Sequence, residues 1–367
     1  MTRLYLFLFT LTACLAASAQ YREGYYDLMD GKSGSDLKQA AKECVKTHTV
    51  ISYSQLPDYW VYTDVWPELY GGRKRWWDMY SDAVYLIEEN QSGRQSFSAN
   101  KMQREHCVPK SWWKKGNDVE YTPAYSDMWN LYPSDGKANG AKSNYPLGIV
   151  LTASFSNGVS KVGEPVEGHG GGASKVFEPS DEYKGDFARA YMYVATVYDD
   201  INWTVEYMYE PTAYPTMKDW AIGMLLEWSR KDPVSRKEID RNNAVEKQQG
   251  NRNPFVDFPA LAEYIWGERK TEVFRIEEQG EYEPADPSGL TPEYSLPRED
   301  GPVILLQKGG FIVKCRPAAS AMRVYDISGS LLVYESAVAD GDAFSFPVGI
   351  YLVRFGEGKT YKIVVSD

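Results

Sequence analysis

Residues 104–109 read Arg-Glu-His-Cys-Val-Pro, residues 127–135 read Asp-Met-Trp-Asn-Leu-Tyr-Pro-Ser-Asp, and residues 139–148 read Asn-Gly-Ala-Lys-Ser-Asn-Tyr-Pro-Leu-Gly. These three blocks decide the fold and the chemistry of the chain. The first block sets an imidazole beside a carboxylate, and the other two supply amide and ammonium groups. A proton acceptor, hard oxygen ligands and positive charge are what the hydrolysis of a phosphate ester requires.

His106 is the candidate general base. The chain has three histidines, His48, His106 and His169, and only His106 is adjacent to an acidic residue. A free imidazole has a pKa of about 6.5, so it can accept a proton from water near neutral pH. Glu105 and the amide oxygen of Asn139 are suited to a sparse, water-rich magnesium shell.

The position of His106 within a strand matters for this interpretation. Adjacent residues on a regular strand point to opposite faces, yet Glu105 and His106 must face one phosphate. Because a proline cannot continue an interior ladder, Pro109 predicts that His106 stands at a strand end. A loop of about twenty residues then precedes Asp127, and loops of that length are usually functional.

The three blocks, in this order and spacing, resemble those of the bacterial endonuclease I family, which are secreted or periplasmic nucleases with a ββα-metal active site. The resemblance covers roughly residues 45–267. It implies that Glu105 and Asn139 bind the metal and that His106 activates water. It further implies substrate-binding or positioning roles for Arg104, Asn130, Lys142, Ser143 and Asn144.

The activity implied by the resemblance is endonucleolytic hydrolysis of DNA and RNA with little sequence preference, leaving 5′-phosphates. The implied cofactor is Mg²⁺, with Mn²⁺ and Ca²⁺ as alternatives. Two positions depart from the family pattern. Trp129 replaces the usual His, which favours a structural role there, and Lys142 replaces the usual Arg, which keeps the charge but loses bidentate geometry.

The charge balance argues against a protein that binds nucleic acid through its overall field, because the formal net charge is −11. Residues 101–142 nevertheless carry seven basic against five acidic residues, and residues 230–252 carry seven against four. We interpret both regions as parts of a substrate groove, the alternative being solvated surface. Trp112 and Trp113 are candidates for stacking on bases or for the core.

The N-terminus indicates export. Arg3 precedes an apolar run over residues 4–17, and small residues follow at 17–19, so the mature chain is predicted to begin near Gln20. The alternative is a lipoprotein processed at Cys14. Since no stretch is apolar enough to span a bilayer, we expect a secreted or cell-surface protein.

The chain is long enough for two folded units. We predict a signal peptide at 1–19, a nuclease domain at 20–270, a linker at 271–300 and a β-domain at 301–367. Helices are predicted at about 36–48 with Ser35 as N-cap, and at 186–200, 219–230 and 259–266, with an extended segment at 61–68. The fold class is therefore α+β, a mainly helical nuclease domain built around a ββα-metal motif and followed by a small all-β sandwich.

Six short β-branched runs between residues 303 and 365 carry the sandwich prediction. Residues 324–330 and 347–353 resemble sorting domains of type IX secretion, which implies that secretion machinery as a partner. Cys44, Cys107 and Cys315 remain after export, and the sequence leaves open whether Cys44 and Cys107 pair. It also leaves the oligomeric state open.

A second class of function is compatible with the same composition. The chain contains 28 Tyr and 11 Trp, so the alternative is a non-catalytic surface module that holds glycans or polymers through aromatic side chains. The combined spacing of Glu105, His106, Asn130 and Asn139 favours the enzyme.

Overall fold

The computed structural model describes residues 21–67, 69–87, 101–114, 119–279, 303–307, 310–314, 321–326, 330–339, 342–355 and 360–365. The predicted signal peptide, Cys14 and Cys315 lie outside these ranges. The chain divides into two units, residues 1–285 and residues 286–367. Within the described ranges, every helix is too short or too polar to cross a bilayer.

The helices all belong to the first unit. They are α1 (Gly34–Val45), α2 (Leu56–Thr63), α3 (Gly136–Lys142), α4 (Lys184–Val197), α5 (Asp219–Lys231), α6 (Arg236–Gln249), α7 (Pro254–Asp257) and α8 (Leu261–Ile265).

The strands of the first unit form three small antiparallel sheets. They are β1 (Met102–His106), β2 (Trp113–Lys114), β3 (Leu131–Asp135), β4 (Val150–Ser156), β5 (Ser160–Pro165), β6 (Val176–Pro179) and β7 (Asn202–Trp203). β1 pairs with β3, β2 pairs with β7, and β5 lies between β4 and β6.

Helix α4 is the centre of this unit. Residues 185–197 are all buried, and α1, α5 and α7 pack against the helix. Its buried residues are mostly apolar, and such a helix is stable only when neighbours cover it. The helix bundle built around α4 supports the small sheets that carry the first two blocks of sequence.

The three sequence blocks lie on β1, β3 and α3 and on the segments that follow them. β1 runs antiparallel to β3, with Glu105 opposite Tyr132 and His106 opposite Leu131. α3 follows β3 directly, and the Asp135 side chain caps it by accepting hydrogen bonds from the backbone N–H groups of Lys137 and Ala138. Such a cap satisfies donors that the first helical turn leaves unpaired. The arrangement is two antiparallel strands followed by a helix.

Most helix predictions are confirmed, and three details are wrong. α1 is capped at Ser33 rather than Ser35. Residues 61–63, predicted as extended, end helix α2, because Leu56 and Trp60 are buried one turn apart and Pro57 suits a first turn. Residues 271–279 of the predicted linker pack on the first unit, where Phe274 is buried and exchanges backbone hydrogen bonds with residues 31 and 32.

The second unit is all β. Its strands are β8 (Val303–Gln307), β9 (Gly310–Lys314), β10 (Met322–Asp326), β11 (Leu331–Glu335), β12 (Ala343–Ser345), β13 (Gly349–Phe355) and β14 (Thr360–Val365). They form a four-stranded sheet in the order β11-β10-β13-β14 and a three-stranded sheet in the order β12-β9-β8. Side chains of both sheets meet in one apolar cluster that includes Phe311, Val324 and Val353. The sandwich itself stays a prediction.

Candidate active site

A cavity of about 580 Å³ lies at the end of β1. Its walls come from β1, from the turn that follows β1, from α3 and from the segment before α2. The lining residues are Tyr53, Met102, Gln103, Arg104, Glu105, His106, Pro109, Lys110, Ser111, Asn139, Ser143 and Asn144.

The structure places Glu105 and His106 on this one cavity. His106 is the last residue of β1, so the strand's alternation of faces stops where both side chains must converge. Both are largely buried, with 7% of Glu105 and 6% of His106 exposed. The predicted strand end at His106 is therefore confirmed.

The hydrogen bond of His106 identifies which ring nitrogen carries the proton. Nε2 lies 2.8 Å from the backbone carbonyl oxygen of Tyr125. A carbonyl oxygen only accepts, so Nε2 must donate, and a neutral ring then has its lone pair on Nδ1. Burial is the main reason that the pKa of His106 falls to about 3, with Lys110 and Lys142 lowering it further while the Tyr125 carbonyl raises it. The ring is neutral at physiological pH.

Aromatic rings hold the imidazole in place. Tyr53 stacks on it with ring centroids 5.8 Å apart and an interplanar angle of 9°, and Tyr125 and Trp113 contact other sides of the ring. The Tyr53 hydroxyl donates to the backbone carbonyl of Arg104 at 3.2 Å, which anchors Tyr53 to β1. The orientation of His106 is therefore fixed from several directions.

Glu105 forms an ion pair beneath the cavity. Lys142 donates from Nζ to Glu105 Oε1 at 2.7 Å and to the backbone carbonyl of His106 at 3.1 Å. Burial raises the pKa of the Glu105 carboxyl, and the Lys142 ammonium opposes that rise. The ion pair with Lys142 favours the ionised form of the Glu105 carboxyl, in opposition to the effect of burial.

Glu105 and Asn139, which is on α3, line the same cavity and could hold a metal ion through oxygen atoms. No group of three His, Cys, Asp or Glu side chains in the described ranges is arranged to hold a metal. Mg²⁺ commonly binds through one or two protein oxygens and keeps several waters.

Asn130 supports the turn after His106 rather than the ring itself. Its Oδ1 accepts from the backbone N–H of Val108 at 2.8 Å, its Nδ2 donates to the Val108 carbonyl at 3.3 Å, and its own carbonyl accepts from the Cys107 N–H. Asn130 is fully buried. The Asn130 side chain therefore holds the loop that follows β1.

The opposite wall is exposed and conformationally unusual. Ser143 has a φ of +48°, a region that non-glycine residues rarely adopt and that clusters at functional sites. The indole N–H of Trp112 donates to the carbonyl of Asn144 at 2.9 Å, which supports this backbone from below. Ser143, Asn144 and Arg104 thus stand on the cavity, as predicted for groups near a substrate.

Other predictions about this region need correction. Lys142 is fully buried against Glu105 and does not line the cavity, so in this structure it faces the carboxylate instead of a substrate phosphate. Trp112 and Trp113 are both fully buried, so of the two roles considered for them the structure supports the core.

The predicted groove at residues 230–252 is also wrong. Six of its seven basic side chains form ion pairs within the protein: Arg230, Lys231, Arg236, Lys237, Arg241 and Arg252. Arg241 and Arg252 are buried. The charges of this region stabilise α6 and its neighbours. Because they are mostly neutralised by ion pairs, little positive potential remains to attract a polyanion.

Three contributors to the cavity were not identified from the sequence. Tyr53 lies about fifty residues before His106, Tyr125 acts through its carbonyl, and Lys110 stands with its Nζ 5.0 Å from the Tyr125 ring centroid. A backbone carbonyl leaves no signal in a sequence. Lys110 directly follows Pro109, the last residue of the first block. Its positive charge was the signal that could have identified it as a cavity residue.

The described cysteines are reduced in this structure. Cys44 is half-buried and Cys107 is buried, and both are free thiols. Burial raises the pKa of Cys44 to about 11 and raises that of Cys107 further. Neither thiol is therefore a nucleophile at neutral pH, since the reactive form is the thiolate.

Comparison with known proteins identifies the family. The family model for Endonuclease I matches residues 33–260. The extracellular ribonuclease of Bacillus amyloliquefaciens is 31% identical over 271 residues, which are 70% of this chain and 82% of that protein. Endonuclease-1 of Buchnera aphidicola subsp. Baizongia pistaciae (strain Bp) is 24% identical over 267 residues, 68% of this chain and 93% of that protein.

A third relative, the periplasmic deoxyribonuclease of Aeromonas hydrophila, is 25% identical over 178 residues, 45% of this chain and 66% of that protein. The matched residues include the whole of β1, β3 and α3 and nearly all of the helices described above. The chain belongs to the Endonuclease I family, and it is a nuclease.

Proposed function

We propose that the protein is an extracytoplasmic, magnesium-dependent endonuclease that hydrolyses DNA and RNA with little sequence preference and leaves 5′-phosphates. The observation that carries the proposal is the state of His106, a neutral imidazole whose Nε2 donates to the Tyr125 carbonyl, beside Glu105 on the cavity. A ring held in this way has Nδ1 as its proton acceptor.

His106 is the general base in this mechanism. Nδ1 takes a proton from the attacking water while Tyr53 and the Tyr125 carbonyl keep the ring from rotating. Glu105 Oε2 and the Asn139 amide oxygen would hold Mg²⁺, which when bound supplies positive charge to the phosphate and the leaving oxygen. Lys110 and Arg104, both on the cavity wall, orient the phosphate by charge.

The relatives support both substrates. One is called a ribonuclease and another a deoxyribonuclease, and the cavity is lined by groups suited to a phosphate that DNA and RNA share. The same names, extracellular and periplasmic, support export. Residues 1–19 would direct export, and the second unit would serve type IX secretion.

Cleavage assays test the activity and its metal. Purified mature protein is incubated with plasmid DNA and with RNA in Mg²⁺, Mn²⁺, Ca²⁺ or EDTA. We expect cleavage in Mg²⁺ and none in EDTA, with product ends that a ligase accepts as 5′-phosphates. No cleavage by folded protein with any of these cations would contradict the proposal.

Glu105→Gln tests the metal ligand, with Glu164→Gln as its matched control because Glu164 is an exposed carboxylate outside the cavity. We expect Glu105→Gln to lose about a hundredfold or more in rate, since a bound metal contributes several kcal/mol of charge stabilisation. Calorimetric titration should show Mg²⁺ binding to the control and much weaker binding to Glu105→Gln. Equal metal affinity in both variants would exclude Glu105 as a ligand.

A further inference from the structure

Residues 65–76 form a β-hairpin that lies outside the cavity lining. Val65 pairs with Trp76, and Tyr70 and Arg73 exchange backbone hydrogen bonds around a two-residue turn. Gly71 and Gly72 have φ values of +56° and +77°, and a two-residue hairpin turn with positive φ at both positions favours glycine. We call this element, as described at residues 65–67 and 69–76, the 65–76 hairpin.

The hairpin carries an exposed cluster of basic side chains. Residues 65–77 contain three basic residues, Arg73, Lys74 and Arg75, and one acidic residue. Arg73 and Lys74 are exposed. In the described part of the chain, none of the three forms an ion pair, whereas the basic residues of α6 are largely paired. The cluster is a local positive surface on a chain with a net charge of −11.

Aromatic rings accompany these charges on one face. Trp66 and Tyr70 both lie near the guanidinium of Arg75. The Arg75 guanidinium stands 4.2 Å from the Trp66 ring centroid and 5.8 Å from that of Tyr70. Tyr70 is 54% exposed. A ring that is half open to solvent beside cationic side chains is the surface on which single-stranded nucleic acids stack.

Hydrogen bonds connect the hairpin to the catalytic elements. The backbone N–H of Ile87 donates to the Lys74 carbonyl at 2.8 Å, and that of Trp76 donates to the Tyr85 carbonyl at 3.0 Å. The Tyr85 hydroxyl in turn donates to Asp135, the residue that caps α3. Since α3 carries Asn139, the hairpin is fixed relative to the cavity by a short chain of bonds.

We propose that the 65–76 hairpin is a second docking surface for the substrate, which binds the backbone and bases of single-stranded DNA or RNA away from the cleaved bond. The inference rests on the proposed function, because the ligand is the polyanion that the cavity hydrolyses. Charge complementarity and the exposed ring select a nucleic acid over a neutral glycan. The hairpin raises affinity for long strands and takes no part in the chemical step.

Binding without cleavage tests the charges. Full-length protein in EDTA is titrated with a fluorescent thymidine 30-mer over a range of salt concentrations. The test variant is Arg73→Ala/Lys74→Ala, and the matched control is Lys247→Ala/Lys270→Ala, which removes two other exposed positive charges. We expect the test variant to bind about tenfold more weakly at low salt and its log–log salt slope to shrink by about 1 to 1.5, as for two lost phosphate contacts.

Substrate length distinguishes this inference from the proposed function. In Mg²⁺ we expect kcat/KM of the test variant to fall on the 30-mer but to match wild type on a tetranucleotide, which we expect to occupy the cavity alone. An equal loss on both lengths would overturn a docking role. Absence of all cleavage would count against the proposed function alone, because the titration in EDTA would still report binding.

The ring is tested separately. Tyr70→Ala should weaken binding of the 30-mer about tenfold, whereas Tyr70→Phe should bind as wild type does, because stacking needs the ring and not the hydroxyl. The proposal would be overturned if the Arg73→Ala/Lys74→Ala variant bound the 30-mer with the same affinity and the same salt slope as the control variant. Binding of a neutral polysaccharide to the hairpin would not change that conclusion.

Discussion

Residues 101–142 and residues 230–252 carry seven basic residues each, yet the structure uses the two sets differently. In the second region Arg241 is buried, donates to Asp64 Oδ1 at 2.8 Å and also donates to the backbone carbonyls of Met128 and Leu131. In the first region Arg104 and Lys110 line the cavity. Two residues of the first set face the cavity, whereas six of the seven in the second set form ion pairs within the protein.

The difference teaches that a count of charges does not locate a binding surface. A charge is available to a ligand only if no internal partner neutralises it, and partners that are distant in sequence do not appear in a local count. Asp64, for example, is 177 residues from Arg241. The three-block motif was more informative, because residues of its first and third blocks meet on a single cavity.

Removal of Arg241 should have the largest effect on stability. Arg241→Met leaves Asp64 as a buried charge without its partner, so we expect the free energy of unfolding to fall by about 3 to 5 kcal/mol. Urea denaturation followed by tryptophan fluorescence measures it. A loss below about 1 kcal/mol would place Arg241 among ordinary surface pairs and would remove the contrast between the two regions.

Lys142→Met tests the buried ion pair of Lys142 with Glu105, whose side chain lines the cavity. Burial already raises the pKa of Glu105, and loss of the ammonium should raise it further. A carboxyl whose pKa is higher in the folded state than in the unfolded state loses stability as pH rises between those two values. In metal-free protein we therefore expect the destabilisation to grow as pH rises above about 4.3, the usual pKa of a Glu carboxyl.

The measurement for Lys142→Met is the urea midpoint across this pH range in EDTA. Wild type provides the reference, because its Glu105 keeps the ion pair. A destabilisation that is independent of pH would show that Lys142 contributes packing alone and does not hold Glu105 in its ionised form.

Asp135→Ala should have a moderate effect, because it removes the cap of α3. Replacement of a capping Asp by Ala costs about 1 kcal/mol, and Asp135→Asn should cost less since its side-chain oxygen still accepts from the helix N–H groups. Thermal unfolding ranks the three proteins. If Asn and Ala are equally destabilising, the carboxylate's other contact, with Tyr85, dominates.

Arg236→Ala should have the smallest effect. Arg236 pairs with Asp240 one turn along α6, and both side chains are substantially exposed. Such pairs contribute about 0.3 to 0.5 kcal/mol. A change within this range, beside the large effect at Arg241, would confirm that burial sets the value of a pair. A loss of several kcal/mol would contradict it.

The sequence predicted elements whose signal is local. The period of residues 186–200 identified α4, and the β-branched runs identified six strands of the second unit. β12 was missed because three residues carry no detectable alternation. α6 was missed because its composition is polar, although the pair Ser235 and Glu238 forms a capping box that could have identified its start.

The residues of the candidate site could be predicted from the sequence, but the contacts that hold them in place could not. Glu105, His106 and Asn139 meet on one cavity as their blocks suggested. The burial of Lys142, the Tyr53 ring on His106 and the Tyr125 carbonyl depend on tertiary contacts between segments far apart in sequence. The choice of Nδ1 as the basic nitrogen follows from one such contact and could not be read from the residue type.

The most direct measurement is the initial rate of cleavage of a fluorescent oligonucleotide by His106→Ala at saturating Mg²⁺, with circular dichroism and the thermal midpoint recorded on the same sample. General-base catalysis contributes about 10² to 10⁴ in rate, so we expect a loss of that size in a protein that remains folded. A folded His106→Ala protein that cleaves at nearly the wild-type rate would contradict the assignment of His106 as the base.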